Sequence, residues 1–94
     1  MALEEQYNFE DLKNEAERLV LDELEVQLAA APREICRTEE CVLDMAAYAL
    51  NLVKPIYRVT LLGRVYTAHL DEKYMQQVHD AVARAIQKIS SNPA

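Results

Sequence analysis

The chain has 94 residues and a mass of 10.8 kDa, with ten basic residues, sixteen acidic residues and a net charge of −6. This length supports one hydrophobic core, because two cores would each fall near the lower size limit for folding. Hydrophobic residues make up 51% of the chain, which argues against a disordered protein. No apolar run approaches the roughly 18 residues that cross a bilayer, and the acidic N-terminus is unlike a signal peptide. We therefore expect a cytoplasmic protein that binds no membrane.

The charge is distributed unevenly along the chain. Residues 1–28 contain nine acidic and two basic residues, whereas residues 45–70 contain no acidic residue and include Lys54, Arg58 and Arg64. The net negative charge repels nucleic acid at long range, so we expect no direct nucleic-acid binding. The acid-free segment can still hold a small anion, since attraction is decided within a Debye length of roughly 8 Å. Burial of this segment would equally explain its missing acids.

The first predicted element is a helix from about residue 10 to residue 31. Asn8 is its predicted N-cap, and Pro32 ends it because proline lacks the backbone N–H. Leu21 and Val26 fall outside the apolar stripe, and a second copy of the chain would cover them. The stripe recurs at helical spacing and consists of Leu12, Ala16, Leu19, Val20, Leu24 and Leu28.

The second predicted element is a helix that begins after Thr38 and ends near Val53. Apolar residues surround it almost completely, which is typical of a helix at the centre of a fold. Residues 56–60 and 64–68 are rich in β-branched and aromatic side chains, and they predict two short strands that turn near Gly63. Such a ribbon is marginal alone and must pack on the helices or on another chain.

A last helix is predicted from Asp71, its N-cap, to about Ser90. Its buried stripe consists of Met75, Val78, Val82, Ala85, Ile86 and Ile89. The fold class is therefore mainly α with a short β element (α+β): three helices, with a β ribbon between the second and third. We expect one domain over residues 1–94, with residues 1–8 and 90–94 frayed, and a homodimer formed through the surplus apolar surface of the first two helices.

The cysteines are the candidate metal ligands. Cys36 and Cys41 have a gap of four residues, which zinc hairpins also use, but zinc needs two further ligands. His69, His79 or a second subunit would have to supply them. Packing as small residues near a helix start is the commonest role of such cysteines, and two cysteines are too few for a disulfide scaffold. A helix N-terminus would favour the thiolate of Cys41 and make it sensitive to oxidation. We expect no resident cofactor, with zinc as the open alternative.

Several motif patterns argue against an enzyme. The single glycine, Gly63, excludes the glycine-rich phosphate loops, and the carboxylates cluster on predicted solvated helix faces. We predict a protein without catalytic residues.

Arg33 and Arg37 have an R-x-x-x-R spacing that some cyclic-dinucleotide receptors use, but the D-x-S-x-x-G half of that motif is missing from the sequence.

A group of aromatic and basic residues is the strongest indication of a ligand. Phenol rings and guanidinium groups stack on nucleobases, and arginine binds phosphate or the guanine O6/N7 edge through two hydrogen bonds. Three of the four tyrosines would equally pack between helices and ribbon with their hydroxyls at the rim. The group consists of Tyr48, Tyr57, Tyr66, Tyr74, Lys54, Arg58 and Arg64.

A longer pattern resembles a known family. The runs CVLDMAAYALN over 41–51, VKPIYRV over 53–59 and GRVY over 63–66 resemble the late-competence protein ComFB family. Its signature joins an aspartate on the helix, an A-L-N helix end, a Pro-x-Tyr step and a short strand. The resemblance spans about 36–67 and implies a small bacterial homodimer that is a receptor for cyclic di-GMP. Some relatives carry a cysteine cluster before this helix, of which only Cys36 and Cys41 have counterparts here.

The chemistry of cyclic di-GMP suggests which residues would bind it. It offers two guanines for stacking and two phosphates for cations. We expect Asn51 and Tyr57 to contact the bases and Arg58 and Arg64 to supply charge, although Asn51 would equally serve as a helix cap. The full predicted set is Asn51, Lys54, Tyr57, Arg58, Arg64 and Tyr66.

Two functions remain open at this point. In the first, the protein binds cyclic di-GMP and relays the signal to a partner, such as a transcription regulator or a motility component. In the second, it is a structural or adaptor protein of the competence machinery that has no nucleotide ligand. The acidic first helix would then dock a partner, with or without a stabilising metal.

Overall fold

The fold is mainly helical with one small sheet, in a computed structural model that describes residues 2–59 and 72–91. This architecture confirms the predicted combination of helices and a short β element. In chain order the elements are α1 (Leu3–Gln6), a 3-10 turn (Phe9–Asp11), β1 (Lys13–Asn14), α2 (Glu15–Ala30), α3 (Glu39–Leu50), β2 (Tyr57–Arg58) and α4 (Glu72–Ser91).

The core lies where α2, α3 and α4 pack against one another. α2 and α4 contribute residues of their predicted stripes and α3 contributes one side of its apolar surface, and the alanines among them allow the helix axes to approach closely. Two residues depart from the prediction: Leu12 precedes α2 and is 43% exposed, and Met75 in the first turn of α4 is 39% exposed. Within the described residues the buried hydrophobic set is Ala16, Val20, Leu24, Cys41, Met45, Ala46, Ala49, Val53, Val78, Ala81, Val82, Ala85 and Ile86.

The start of the first long helix differs from the prediction. Asn14, and not Asn8, is the N-cap of α2: its Oδ1 accepts hydrogen bonds from the backbone N–H of Ala16 at 3.1 Å and of Ile56 at 2.8 Å. Asn8 caps the 3-10 turn instead, accepting from Glu10 N. The long-range bond to Ile56 holds the chain extended before α2, so local helix propensity is overridden there.

The predicted N-cap of the second helix is confirmed. Thr38 Oγ1 accepts a hydrogen bond from the backbone N–H of Cys41 at 3.2 Å. The helix ends at Leu50, before the predicted Val53, and Asn51 is its C-cap. The Lys54–Pro55 step disfavours helical backbone at the residue before the proline, which is consistent with this early end.

The described strands form a pairing that the sequence did not predict. β2 lies inside the predicted range 56–60, but it pairs antiparallel with β1, placing Lys13 opposite Arg58 and Asn14 opposite Tyr57. The predicted strand over 64–68 and the turn near Gly63 lie outside the described residues. The sheet therefore joins the segment before α2 to the segment after α3.

The last helix is confirmed in extent. α4 includes Ser90 and Ser91, so the helix continues into the range 90–94 that was expected to be frayed. The predicted cap, Asp71, lies outside the described residues. Among the helices that the structure describes, none combines the length and apolar character needed to cross a bilayer.

Candidate functional site

A buried carboxylate lies at the junction of the sheet and α2. Glu15 is the first residue of α2 and only 4% exposed. Arg58 Nε donates a hydrogen bond to its Oε2 at 2.7 Å, and Arg18 Nε donates to its Oε1. Burial acts to raise the pKa of Glu15, but the hydrogen bonds and charges of the two arginines lower that pKa below its ordinary value. The carboxylate is therefore charged at neutral pH.

Arg58 is first of all a partner of this carboxylate. Its side chain is 10% exposed, and its Nη2 joins Nε in the ion pair with Glu15. Lys13 lies opposite Arg58 in the sheet, and two cations in that position repel each other unless an anion lies near them. Glu15 supplies that anion within the protein. The arginine predicted to contact a ligand thus ties β2 to α2.

A shallow depression of about 390 Å³ opens beside this ion pair. The surrounding side chains include three cations and three carboxylates, so it is close to neutral and differs from a purely cationic phosphate pocket. Its lining residues are Lys13, Asn14, Glu15, Glu17, Arg18, Leu21, Asp22 and Arg58.

The other predicted ligand residues are partly separated from this junction. Tyr57 is adjacent to Arg58 on β2 and is 63% exposed. Asn51 is exposed at the C-terminus of α3, in the cap position that was its alternative interpretation, and Lys54 is exposed after it. Arg64 and Tyr66 lie outside the described residues.

Two of the four tyrosines in the aromatic group pack against the core. Tyr48 and Tyr74 are half-buried beside the core cluster. The Tyr74 hydroxyl donates to the backbone carbonyl of Lys54 at 2.6 Å, and burial raises the pKa of that hydroxyl. For these two rings the packing interpretation describes the structure, and Tyr57 is the described member of the group that presents its ring to solvent.

The two cysteines are joined to each other. Cys36 and Cys41 form a disulfide, and Cys41 is a buried member of the core. Sulfur in a disulfide is no thiolate ligand, so zinc could bind this pair only after reduction. In residues 2–59 and 72–91, no three His, Cys, Asp or Glu side chains form a group suited to a metal ion. The sequence pattern indicated packing or zinc for this pair and sensitivity to oxidation for Cys41, but it did not predict the disulfide.

Glu15, Lys13 and Arg18 were not among the predicted site residues. Glu15 was placed among the solvated acids of the first helix. A usable signal exists, because Glu15 lies one residue before Ala16 and four before Leu19, at the edge of the apolar stripe. An acid at that position is buried when a cation arrives from elsewhere in the fold.

The chain is similar to a known protein family. The family described as "Late competence development protein ComFB" matches residues 13–93, which include β1, α2, α3, β2 and α4. No curated protein matches the chain. The matched range begins at Lys13, so the whole Glu15–Arg58 junction lies inside it.

Proposed function

The chain belongs to the late competence development protein ComFB family, as its resemblance predicted, and on this premise we propose that it is a non-enzymatic receptor for cyclic di-GMP. Membership points to a role related to competence. The finer proposal is that a cytoplasmic homodimer binds the nucleotide and relays the signal to a partner protein. Its support comes from the surface around β2.

The exposed ring of Tyr57 is the observation on which the proposal depends. An aromatic ring left 63% exposed offers a stacking surface for a guanine base. The next residue is Arg58, and Lys13 lies opposite Arg58 in the sheet, so two cations lie beside the ring. Lys13 is exposed and within reach of solution, whereas Arg58 is held by Glu15. A guanine base can therefore stack on the Tyr57 ring while the neighbouring phosphate contacts Lys13.

Unpartnered apolar side chains support the homodimer. Leu21 and Val26 on α2 are 50% and 64% exposed, and Leu43 on α3 is 63% exposed. These are the residues, outside the apolar stripes, that a second copy would cover. Sedimentation at micromolar concentration should therefore give a dimer, and a monomer of 10.8 kDa would contradict this part of the proposal.

The test should use Tyr57 and not Arg58. Loss of Arg58 would leave the buried Glu15 with only the exposed Arg18 as its partner. Tyr7 is a matched control: it is 61% exposed, close to the 63% of Tyr57, and it lies before the matched family range. Stacking of one base is worth about 1–3 kcal/mol, so Tyr57→Ala should weaken binding about 5- to 150-fold. Tyr7→Ala should leave the affinity unchanged.

The measurement is isothermal titration of the full chain with cyclic di-GMP, with cyclic di-AMP and GTP as specificity controls. Saturable binding that is selective for cyclic di-GMP and lost in Tyr57→Ala is the expected result. Absence of heat and of a thermal shift at about 100 µM nucleotide would overturn the receptor proposal. Equal losses in Tyr57→Ala and Tyr7→Ala would contradict the assignment of the site to β2.

A second candidate function is the adaptor, and one observation favours it. Glu17, Asp22 and Glu25 are exposed on α2, which therefore presents an acidic face to a basic partner protein. An adaptor would lose partner binding when Glu17 and Glu25 become glutamine and would be indifferent to Tyr57→Ala. Tyr57→Ala and the double variant Glu17→Gln/Glu25→Gln thus separate the two functions.

A further inference from the structure

The disulfide joins the turn before α3 to the first turn of that helix. Cys36 lies in the connection between α2 and α3, Cys41 is the third residue of α3, and their Cα atoms are 6.0 Å apart. We propose that this disulfide is a reversible redox site, opened by a dithiol reductant such as a thioredoxin-like protein and closed again by exchange with the oxidised form of that reductant.

The bond is poorly suited to a purely structural role. It spans a sequence separation of five residues, and the chain entropy that a cross-link removes from the unfolded state grows with the length of the closed loop. A loop this short therefore gives the smallest gain. Most core residues come from α2, α3 and α4 outside the loop, and Cys36 only borders the core. The protein can thus lose the bond and stay folded.

Non-covalent contacts also hold the same turn. Thr38 caps α3 through its bond from Cys41 N, and Arg37 donates to four backbone carbonyls at the end of α2 and in the loop after it. The Arg37 acceptors, at 2.7–3.1 Å, are the carbonyl oxygens of Leu28, Ala31, Pro32 and Ile35. Opening the disulfide therefore changes the turn locally while both helix ends keep their caps.

The two sulfurs are not equivalent. Cys36 is half-buried in the connection, whereas Cys41 is 3% exposed within the core, so an incoming thiolate reaches Cys36 first. Cys41 lies in the first turn of α3, where the helix N-terminus stabilises a departing thiolate. Glu39 and Glu40 share that turn, but both are exposed and their repulsion is screened by solvent.

The exchange balances without any other reactant. A thiolate of the dithiol attacks Cys36 Sγ, forming a mixed disulfide, and the Cys36–Cys41 bond breaks with its electron pair on Cys41 Sγ. The second thiol of the reductant, as thiolate, then attacks its own sulfur in the mixed disulfide and releases Cys36 as a thiolate. Both cysteines take up a proton from solvent where they become thiols. Two electrons pass from the dithiol, which becomes a disulfide, to the protein.

The experiment uses the full chain in buffers with graded ratios of reduced to oxidised dithiothreitol. After an acid quench and alkylation with N-ethylmaleimide, the intact mass should change in one step from an unlabelled to a doubly labelled protein. Circular dichroism should show that the helices persist in the reduced protein. A second arm adds limiting glutathione to the oxidised protein before the same quench and alkylation.

The second arm tests which sulfur is attacked. Trypsin cleaves after Arg37, which places Cys36 and Cys41 in different peptides. Glutathione should be found on Cys36 and maleimide on Cys41, and Cys36→Ser should abolish the mixed disulfide without loss of helix. The proposal is overturned if no disulfide forms at any ratio, if glutathione is found on Cys41, or if reduction unfolds the protein.

Discussion

Arginines hold the two ends of α2 in opposite ways. At the N-terminal end, Arg58 is 10% exposed and binds a single buried carboxylate, that of Glu15. At the C-terminal end, Arg37 is exposed and shares its hydrogen bonds among backbone carbonyls, including those of Leu28 and Ala31. If Arg37 is substituted, water can replace its hydrogen bonds. If Arg58 is substituted, water reaches the buried carboxylate of Glu15 less easily. Substitutions should therefore be costly at the sheet end of α2 and well tolerated at the turn before α3.

The largest effect is expected from Arg58→Ala, which leaves Glu15 buried without its main partner. Removal of one partner of a buried ion pair costs about 3–5 kcal/mol of the free energy of unfolding. Arg18→Ala is the matched control, because Arg18 binds the same carboxylate but is 57% exposed, and it should cost about 0–1 kcal/mol. Urea denaturation measures both values, and equal losses would show that burial does not distinguish the two arginines.

Acid should weaken the same end of the molecule. The folded-state pKa of Glu15 is lowered from 4.5, so the stabilisation it gives is present above that unfolded value and lost as the pH falls through the folded pKa. The free energy of unfolding should therefore decrease on acidification below about 4.5. Denaturation across this range in the native chain and in Glu15→Gln checks the assignment, since the variant should lose this part of the pH dependence. An unchanged slope in Glu15→Gln would assign the acid sensitivity to other carboxylates.

A smaller loss is expected at the turn. Arg37→Ala removes four hydrogen bonds, but water replaces them at an exposed site, so the free energy of unfolding should fall by about 1–2 kcal/mol. Arg37→Lys should recover only part of this loss, because an ammonium group lacks the planar fork that spans several carbonyls. Urea denaturation of the two variants gives the comparison, and a loss as large as that of Arg58→Ala would contradict the distinction between the two ends.

The smallest effect is expected before the sheet. Neither α1 nor the 3-10 turn contains a buried residue, and both precede the matched family range that begins at residue 13. Deletion of residues 1–12 should change the free energy of unfolding by less than about 0.5 kcal/mol. Thermal unfolding of the shortened chain checks this, and a loss comparable to that of Arg37→Ala would mean that the segment packs on the body.

Local sequence patterns were sufficient to predict the three long helices, although not the start of the first one. The stripe of α4 and the Thr38 cap of α3 depend on residues within a few positions of one another. The structure confirms the cap, and it confirms the stripe except for Met75, which is exposed. The first helix was predicted to start near residue 10, because Asn8 is also of a residue type that favours the N-cap position. The choice of Asn14 depends on Ile56, which donates to it across 42 residues. A sequence window cannot contain that bond.

The candidate site shows the same division. Charge and aromatic content were enough to select Tyr57 and Arg58 as a neighbouring ring and cation, because both properties belong to the residues themselves. Their opposite environments, one exposed and one paired with Glu15 across 43 residues, depend on how β2 packs against α2. Periodicity records which residues are apolar, whereas the pairing of a buried charge is a property of the assembled core. The residue types therefore indicated which side chains can stack or carry charge, and tertiary packing assigned each of them its neighbours.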